Sequence, residues 1–192
     1  MFKRRLFPKV SLNENVKYVL KDKDGNVKPI FQPNTIFAFL VKKGFLSPSI
    51  KKIPFLFGFW RNSMSISNLI TNAGFAGVAS RVNGDGSEAA FTYLAIGIGT
   101  TAANVADTTL DSEITTNGGE RAAATASRIT TDVTNDTAQM VLTFNFTSTF
   151  AVTESGMLNA VSAGTLLCRQ VFTAINVANG DSLQITWKID ID

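Results

Sequence analysis

The sequence predicts a mainly β protein: an antiparallel β-sandwich of jelly-roll type, with one short helix and an extended N-terminal arm. Three observations predict it. Threonine, alanine, asparagine, valine and isoleucine crowd the last two thirds of the chain, a mixture suited to half-buried pleated strands. Apolar residues recur there with a period of two, in short runs bounded by turn residues. All five prolines, at positions 8, 29, 33, 48 and 54, lie near the front, where they exclude long helices and favour an extended path. With 192 residues, 45% of them hydrophobic, the chain can bury a sizeable core.

Taken in order, Val16–Leu20 and Val27–Phe31 are short strand candidates, and Asp22-Lys23-Asp24-Gly25-Asn26 between them is a turn signal, so a hairpin is expected. From Ser67 to Arg81, Leu69, Ile70, Ala73, Ala76, Gly77 and Ser80 recur at three- and four-residue intervals. That spacing predicts a short amphipathic helix capped by Ser67 and ended by Asn83-Gly84-Asp85-Gly86. Gly74 and Gly77 each weaken it by about 1 kcal/mol relative to alanine, so packing must hold it. Phe91–Gly97 reads as a strand, and Asp107–Ile114 as a loop with one helical turn. Ala122–Val133 and Ala138–Thr147 form a hairpin around Thr134-Asn135-Asp136, with Ala138, Met140, Leu142, Phe144 and Phe146 on one face. Phe150–Leu158 and Thr165–Phe172 follow as strands. In the last, Leu183, Ile185, Trp187, Ile189 and Ile191 alternate with polar residues.

Charge divides the chain. Residues 1–61 hold 13 lysines and arginines against 3 acidic groups, and residues 62–192 hold 5 against 12. The same front segment carries nine of the fifteen phenylalanines. The expected division is a basic, aromatic-rich anchoring arm over 1–61 and a β-sandwich domain, helix first, over 62–192. Contiguous exposed aromatics mark interfaces, which makes Phe2, Arg4, Arg5, Phe7, Phe55, Phe57, Phe59 and Trp60 the candidate partner-binding residues. A fully buried aromatic contributes about 1.5–3 kcal/mol, so a few could dominate attachment while the cations orient it.

Chemistry is sparsely represented. Histidine is absent, which removes the usual general base and zinc ligand. The carboxylates Asp107, Asp111, Glu113 and Glu154 remain as candidate acid–base groups, but nothing in the linear order pairs them. Cys168, the lone cysteine, reads as a small buried apolar group rather than a nucleophile. Gly97-Ile98-Gly99-Thr100-Thr101 after a strand could cradle a phosphate, yet it lacks a P-loop lysine and a third glycine, and a tight turn fits better. Asp22–Asn26 opens like a calcium loop, but its twelfth position is Pro33 rather than glutamate. No cofactor or metal is expected, nor a membrane span, since the longest apolar run, Ile53–Trp60, falls far short of about 20 residues. The scattered basic residues and the acidic body argue against nucleic acid as the arm's partner.

From Asn68 onward the chain resembles a family of bacteriophage structural proteins of tail-fibre, head-fibre or decoration type. The resemblance is carried by Asn68–Phe75, Tyr93–Thr101, Asp107-Thr108, Leu110–Glu113, Arg121–Thr125, Val152–Gly156, Arg169–Phe172 and Asn179–Leu183. Where that family often has Gly-Thr-Gly, this chain has Gly97-Ile98-Gly99. The resemblance implies a non-enzymatic virion protein, made in the host cytoplasm and joined to other capsid or tail proteins. By analogy it implies a homo-oligomer, a trimer among the options. A capsid-decoration or head-fibre subunit held by its arm is the leading expectation. The alternative is a tail-fibre or baseplate component whose loops 83–88 and 117–120 contact a host receptor or glycan.

Overall fold

The computed structural model, which describes residues 12–33, 58–86 and 88–191, places Leu183, Ile185, Trp187 and Ile189 of the last strand on one buried face, none more than 6% exposed. This strand, β13 (Ser182–Ile191), is the middle of a sheet. On one side it pairs with β1 (Leu12–Lys21), whose outer edge carries β2 (Val27–Lys28) and β5 (Met64–Ser67). On the other it pairs with β10 (Thr137–Asn145), followed by the edge strand β9 (Thr125–Ile129). The second sheet runs β6 (Leu69–Ile70), β12 (Leu166–Val177), β11 (Phe150–Leu158), β7 (Tyr93–Gly97), β8 (Ala122–Ala123). A two-stranded ribbon joins β3 (Ile30–Pro33) to β4 (Gly58–Arg61).

All the strand pairs are antiparallel, and the inner faces of the two sheets share one core. The predicted β-sandwich is thus the observed architecture. Tyr18 of β1 crosses it: the hydroxyl lies 2.7 Å from Ser155 Oγ of β11, and the ring centroid lies 4.4 Å from that of Phe172 on β12. Burial pushes the Tyr18 hydroxyl pKa far up, only partly offset by its bond to Ser155. The hydroxyl therefore stays protonated and links the sheets as a neutral hydrogen bond.

The division after Arg61 needs correction. Val16, Tyr18 and Leu20 are core residues, and β1 pairs with β13 along ten positions, Leu12 opposite Ile191 through Lys21 opposite Ser182. The sandwich therefore begins at residue 12. The lysines that made this stretch look like an arm, Lys17 and Lys21, occupy its exposed alternate positions, as a strand with one buried face allows. Of the anchoring arm expected over 1–61, residues 1–11 and 34–57 lie outside the described residues.

The expected hairpin at Asp22–Asn26 is present. Gly25 turns with φ +83°, and Asp22 accepts the backbone N–H groups of Asp24 and Asn26, a self-contained turn. The helix, α1 (Asn72–Asn83), starts later than its spacing suggested. Ser67 ends β5, Leu69 and Ile70 form β6, and the N-cap is Thr71, whose hydroxyl accepts the Gly74 N–H. Gly84, in the left-handed region, ends the helix as expected. The weakening glycines have a packing reason: a Cβ on Gly74 would lie 2.2 Å from Leu167 O, and one on Gly77 2.6 Å from the Phe91 ring. Segment 107–114 is irregular, without the expected helical turn. Ala122–Val133, expected as one strand, divides at Ala124 into β8 and β9, which belong to different sheets. The 130–136 turn beyond β9 is organised by Asp136, which accepts N–H donors from Thr131, Asp132 and Val133. Donation led by the Val133 N–H holds the Asp136 carboxyl well below the usual carboxylate range. Among the described residues no helix is long and apolar enough to cross a membrane.

Candidate functional site

Of the eight residues expected to bind a partner, Phe59 and Trp60 fall on the described part of the chain; Phe2, Arg4, Arg5, Phe7, Phe55 and Phe57 lie outside it. Both belong to β4, whose pairing with β3 sets Phe31 opposite Trp60 and Gln32 opposite Phe59. The Phe31 and Trp60 rings meet at 5.5 Å between centroids, tilted by 59°. The Arg61 guanidinium carbon stands 5.9 Å from the Phe59 ring centre, within cation–π range. Phe59 is 43% and Trp60 69% exposed. A short ribbon thus carries two large aromatic faces and a cation to the surface, beside residues that pack into the sandwich.

Of the carboxylates singled out from the sequence, Glu154 and Asp107 are brought together on Arg169, with Glu154 facing inward. Ser155 faces the core, so strand alternation turns Glu154 and Gly156 to the opposite side of the second sheet. Val152, by alternation on the same side as Glu154, is nonetheless a core residue. The register shift between Val152/Ile175 and Glu154/Val171 makes both orientations possible. Glu154 is fully buried under segment 98–112. Its Oε1 accepts the N–H groups of Gly99 at 3.0 Å and Ser112 at 2.7 Å, and its Oε2 accepts that of Asp111 at 3.0 Å. Arg169 closes the set, with Nε 2.9 Å and Nη2 2.8 Å from Oε2. Nη1 of the same guanidinium donates to Asp107 at 2.7 Å, and Nη2 donates to the Thr101 carbonyl. Burial alone would lower the Arg169 pKa, but hydrogen bonds to Asp107 and Glu154 raise it above its ordinary value.

This geometry explains the glycine turn. A Cβ on Gly97 would lie 2.4 Å from Glu154 Oε1, and one on Gly99 2.5 Å from the same atom. The turn does cradle an anion, and the anion is the protein's own carboxylate. Glu113 joins a second internal pair: Arg121 grips it with two bonds, 2.9 and 2.5 Å, and donates to the carbonyls of Ala160 and Ala163. Asp111 is exposed; hydrogen bonds from Thr101, foremost the hydroxyl, and the Arg169 charge hold its carboxyl below the usual range.

No family model, curated protein or solved structure matches the chain.

Chemically, Glu154 has no solvent access and both oxygens are engaged, which suits it to holding a loop rather than to shuttling protons. Among the described residues no group of histidine, cysteine, aspartate and glutamate could hold a metal ion. Cys168 is fully buried in the core, as expected. What sequence reasoning missed was the pairing of Glu154 with Arg169. The linear sequence carried no signal for it: the run Val152 to Leu158, in which the fold leaves no exposed position, holds Thr153, Glu154, Ser155 and Gly156, and only its burial makes a partner for the Glu154 charge necessary.

Proposed function

We propose that this chain is a non-enzymatic structural subunit of a bacteriophage particle, of capsid-decoration or head-fibre type, that joins other virion proteins and copies of itself through its aromatic, basic front region. The observation that carries the reading is the β3–β4 ribbon, where Phe59 and Trp60 stand exposed next to Arg61. Aromatic rings with an adjacent arginine are the composition of an interface hot spot. The residues between the two strands of this ribbon in sequence, 34–57, add five further phenylalanines, Phe37, Phe39, Phe45, Phe55 and Phe57, together with four lysines and no acidic group. The opposite net charges of the front and rear of the chain favour ordered contact between copies, or with an acidic shell, over a Debye length of about 8 Å. Of the carboxylates that a hydrolase reading would need, Glu154 is engaged in holding segment 98–112 to the second sheet.

Replacing both aromatics, Phe59→Ala with Trp60→Ala, tests the reading in particles purified from the host that carries the gene. Quantitative mass spectrometry should find the variant depleted at least about tenfold relative to the parent, equivalent to losing about 1.4 kcal/mol of attachment. Circular dichroism of the isolated variant should remain that of a folded sandwich. Normal incorporation of a folded variant would reject the proposal.

A further inference from the structure

The β7–β8 ladder pairs Tyr93 with Ala123 and Leu94 with Ala122. Continued one step, the same register sets Thr92 against Ala124, and that contact is made: the Ala124 N–H donates to the Thr92 carbonyl at 2.7 Å. Continued further it would set Ala90 against Ala126. There it stops, because from Thr125 the chain is β9 and pairs with β10 in the other sheet. The ladder opens like a zip at the point where the chain changes sheets.

A groove of 610 Å³ occupies the gap, with Ala90, Phe91 and Thr92 along one wall and Ala126, Ser127 and Arg128 along the other. Consecutive residues of a strand point to alternate faces. Three in a row can border a groove only if it runs along the strand's edge. β9 is the last strand of its sheet, so its outer edge has no pairing strand among the described residues, and three of its residues line this groove. The floor is apolar, formed by Met140, Met157, Leu167 and Ile189 from the core, with Val78 and Val82 of α1 overhanging. Among the described residues, Arg81 and Arg128 are the only charged side chains lining it. Arg81 donates one bond to the Glu88 carbonyl, and Arg128 is exposed.

We infer that this slot receives an extended peptide segment of a partner protein, apolar at alternate positions and bearing carboxylates that meet Arg81 and Arg128. Each feature selects part of that chemistry. The open edge supplies main-chain hydrogen bonds to an added strand, and the floor takes every second side chain. The guanidinium groups favour carboxylates. This chain's own undescribed segments are poorly matched, since residues 1–11 and 34–57 each carry four basic and no acidic residues. An alkyl amphiphile would use the floor and the arginines and leave the strand edge idle. The inference goes beyond the attachment reading and does not depend on it.

Fluorescence anisotropy with the full chain tests it, using a labelled, capped hexapeptide of alternating valine and glutamate and its valine–lysine counterpart at low ionic strength. The glutamate peptide should bind saturably, one per chain, about tenfold more tightly than the lysine peptide. Arg81→Gln with Arg128→Gln should abolish that preference, and Ala90→Trp, at an exposed wall position, should block binding while leaving the fold intact. A Trp60→Ala chain should bind the peptide as the parent does, which separates this site from the attachment surface. Absence of saturable binding, equal binding of both peptides, or indifference to Ala90→Trp would overturn the inference. So would laurate occupying the slot when the glutamate peptide does not, or a self-association of the chain that Ala90→Trp dissolves.

Discussion

Arg169 shows how one side chain can fix a loop whose sequence has little structure of its own. It is 2% exposed, yet spans from Glu154 on β11 to Asp107 and the Thr101 carbonyl in the covering segment. Removing one member of a buried ion pair leaves the other charge uncompensated, which costs about 3–5 kcal/mol, whereas replacing the whole pair by apolar groups can be neutral. Arg169→Met should therefore lower the free energy of unfolding in urea by about that amount, with early loss of amide protection at Gly99, Asp111 and Ser112. A change below about 1 kcal/mol would show that the network contributes little. The candidates Asp107, Glu113 and Glu154 were legible in the sequence as residue types. Their roles were not, because they depend on Arg169 and Arg121, which strand pairing and loop return bring close from 62 and 8 positions away.

At the scale of elements, α1 is placed by what it lacks. Its inner face is made of Gly74 and Gly77, so the backbone itself rests on Leu167 and Phe91, and the larger residues Phe75 and Val82 point outward at 53% and 83% exposure. The spacing of apolar residues put Ala73, Ala76, Gly77 and Ser80 on the packed face; Gly77 is buried as that spacing required, whereas Ala76 is exposed and Gly74 is buried instead. Alanine at position 74 would improve intrinsic helix propensity by about 1 kcal/mol, but its Cβ would meet the Leu167 carbonyl at 2.2 Å, and that backbone cannot yield. Gly74→Ala should therefore destabilise by about 1–3 kcal/mol, seen as a lower Tm, the opposite sign to the propensity expectation. An unchanged or raised Tm would mean that the helix can lift off β12 at no cost.

Across the whole molecule, the front of the chain takes part in both sheet and surface. β1 supplies Val16, Tyr18 and Leu20 to the core and shields one edge of β13, while the β3–β4 ribbon leaves two aromatics outside. A truncation at residue 61 would remove a ten-residue strand from the middle of a sheet and three large buried side chains, and the product should not fold. Removing residues 1–11 cuts before β1 and should leave a cooperative, folded sandwich. Circular dichroism and thermal unfolding of the two truncated chains distinguish these outcomes; a folded product lacking residues 1–61 would show that β1 is dispensable.

Strand identity was decided locally. The period of two in Val16–Leu20, Ala138–Phe146 and Leu183–Ile191, the turn residues at Asp22–Asn26 and the glycine stop after Asn83 determined where strands, turn and helix end lie, because alternation and turn geometry depend on residues a few positions apart. Which sheet each strand joins, the change of sheet at Ala124, the burial of Glu154 against Arg169 and the slot beside β9 were decided only by the tertiary structure. All four are set by contacts between residues distant in sequence, and a net charge summed over a segment could not reveal that the other face of β1 lies in the core.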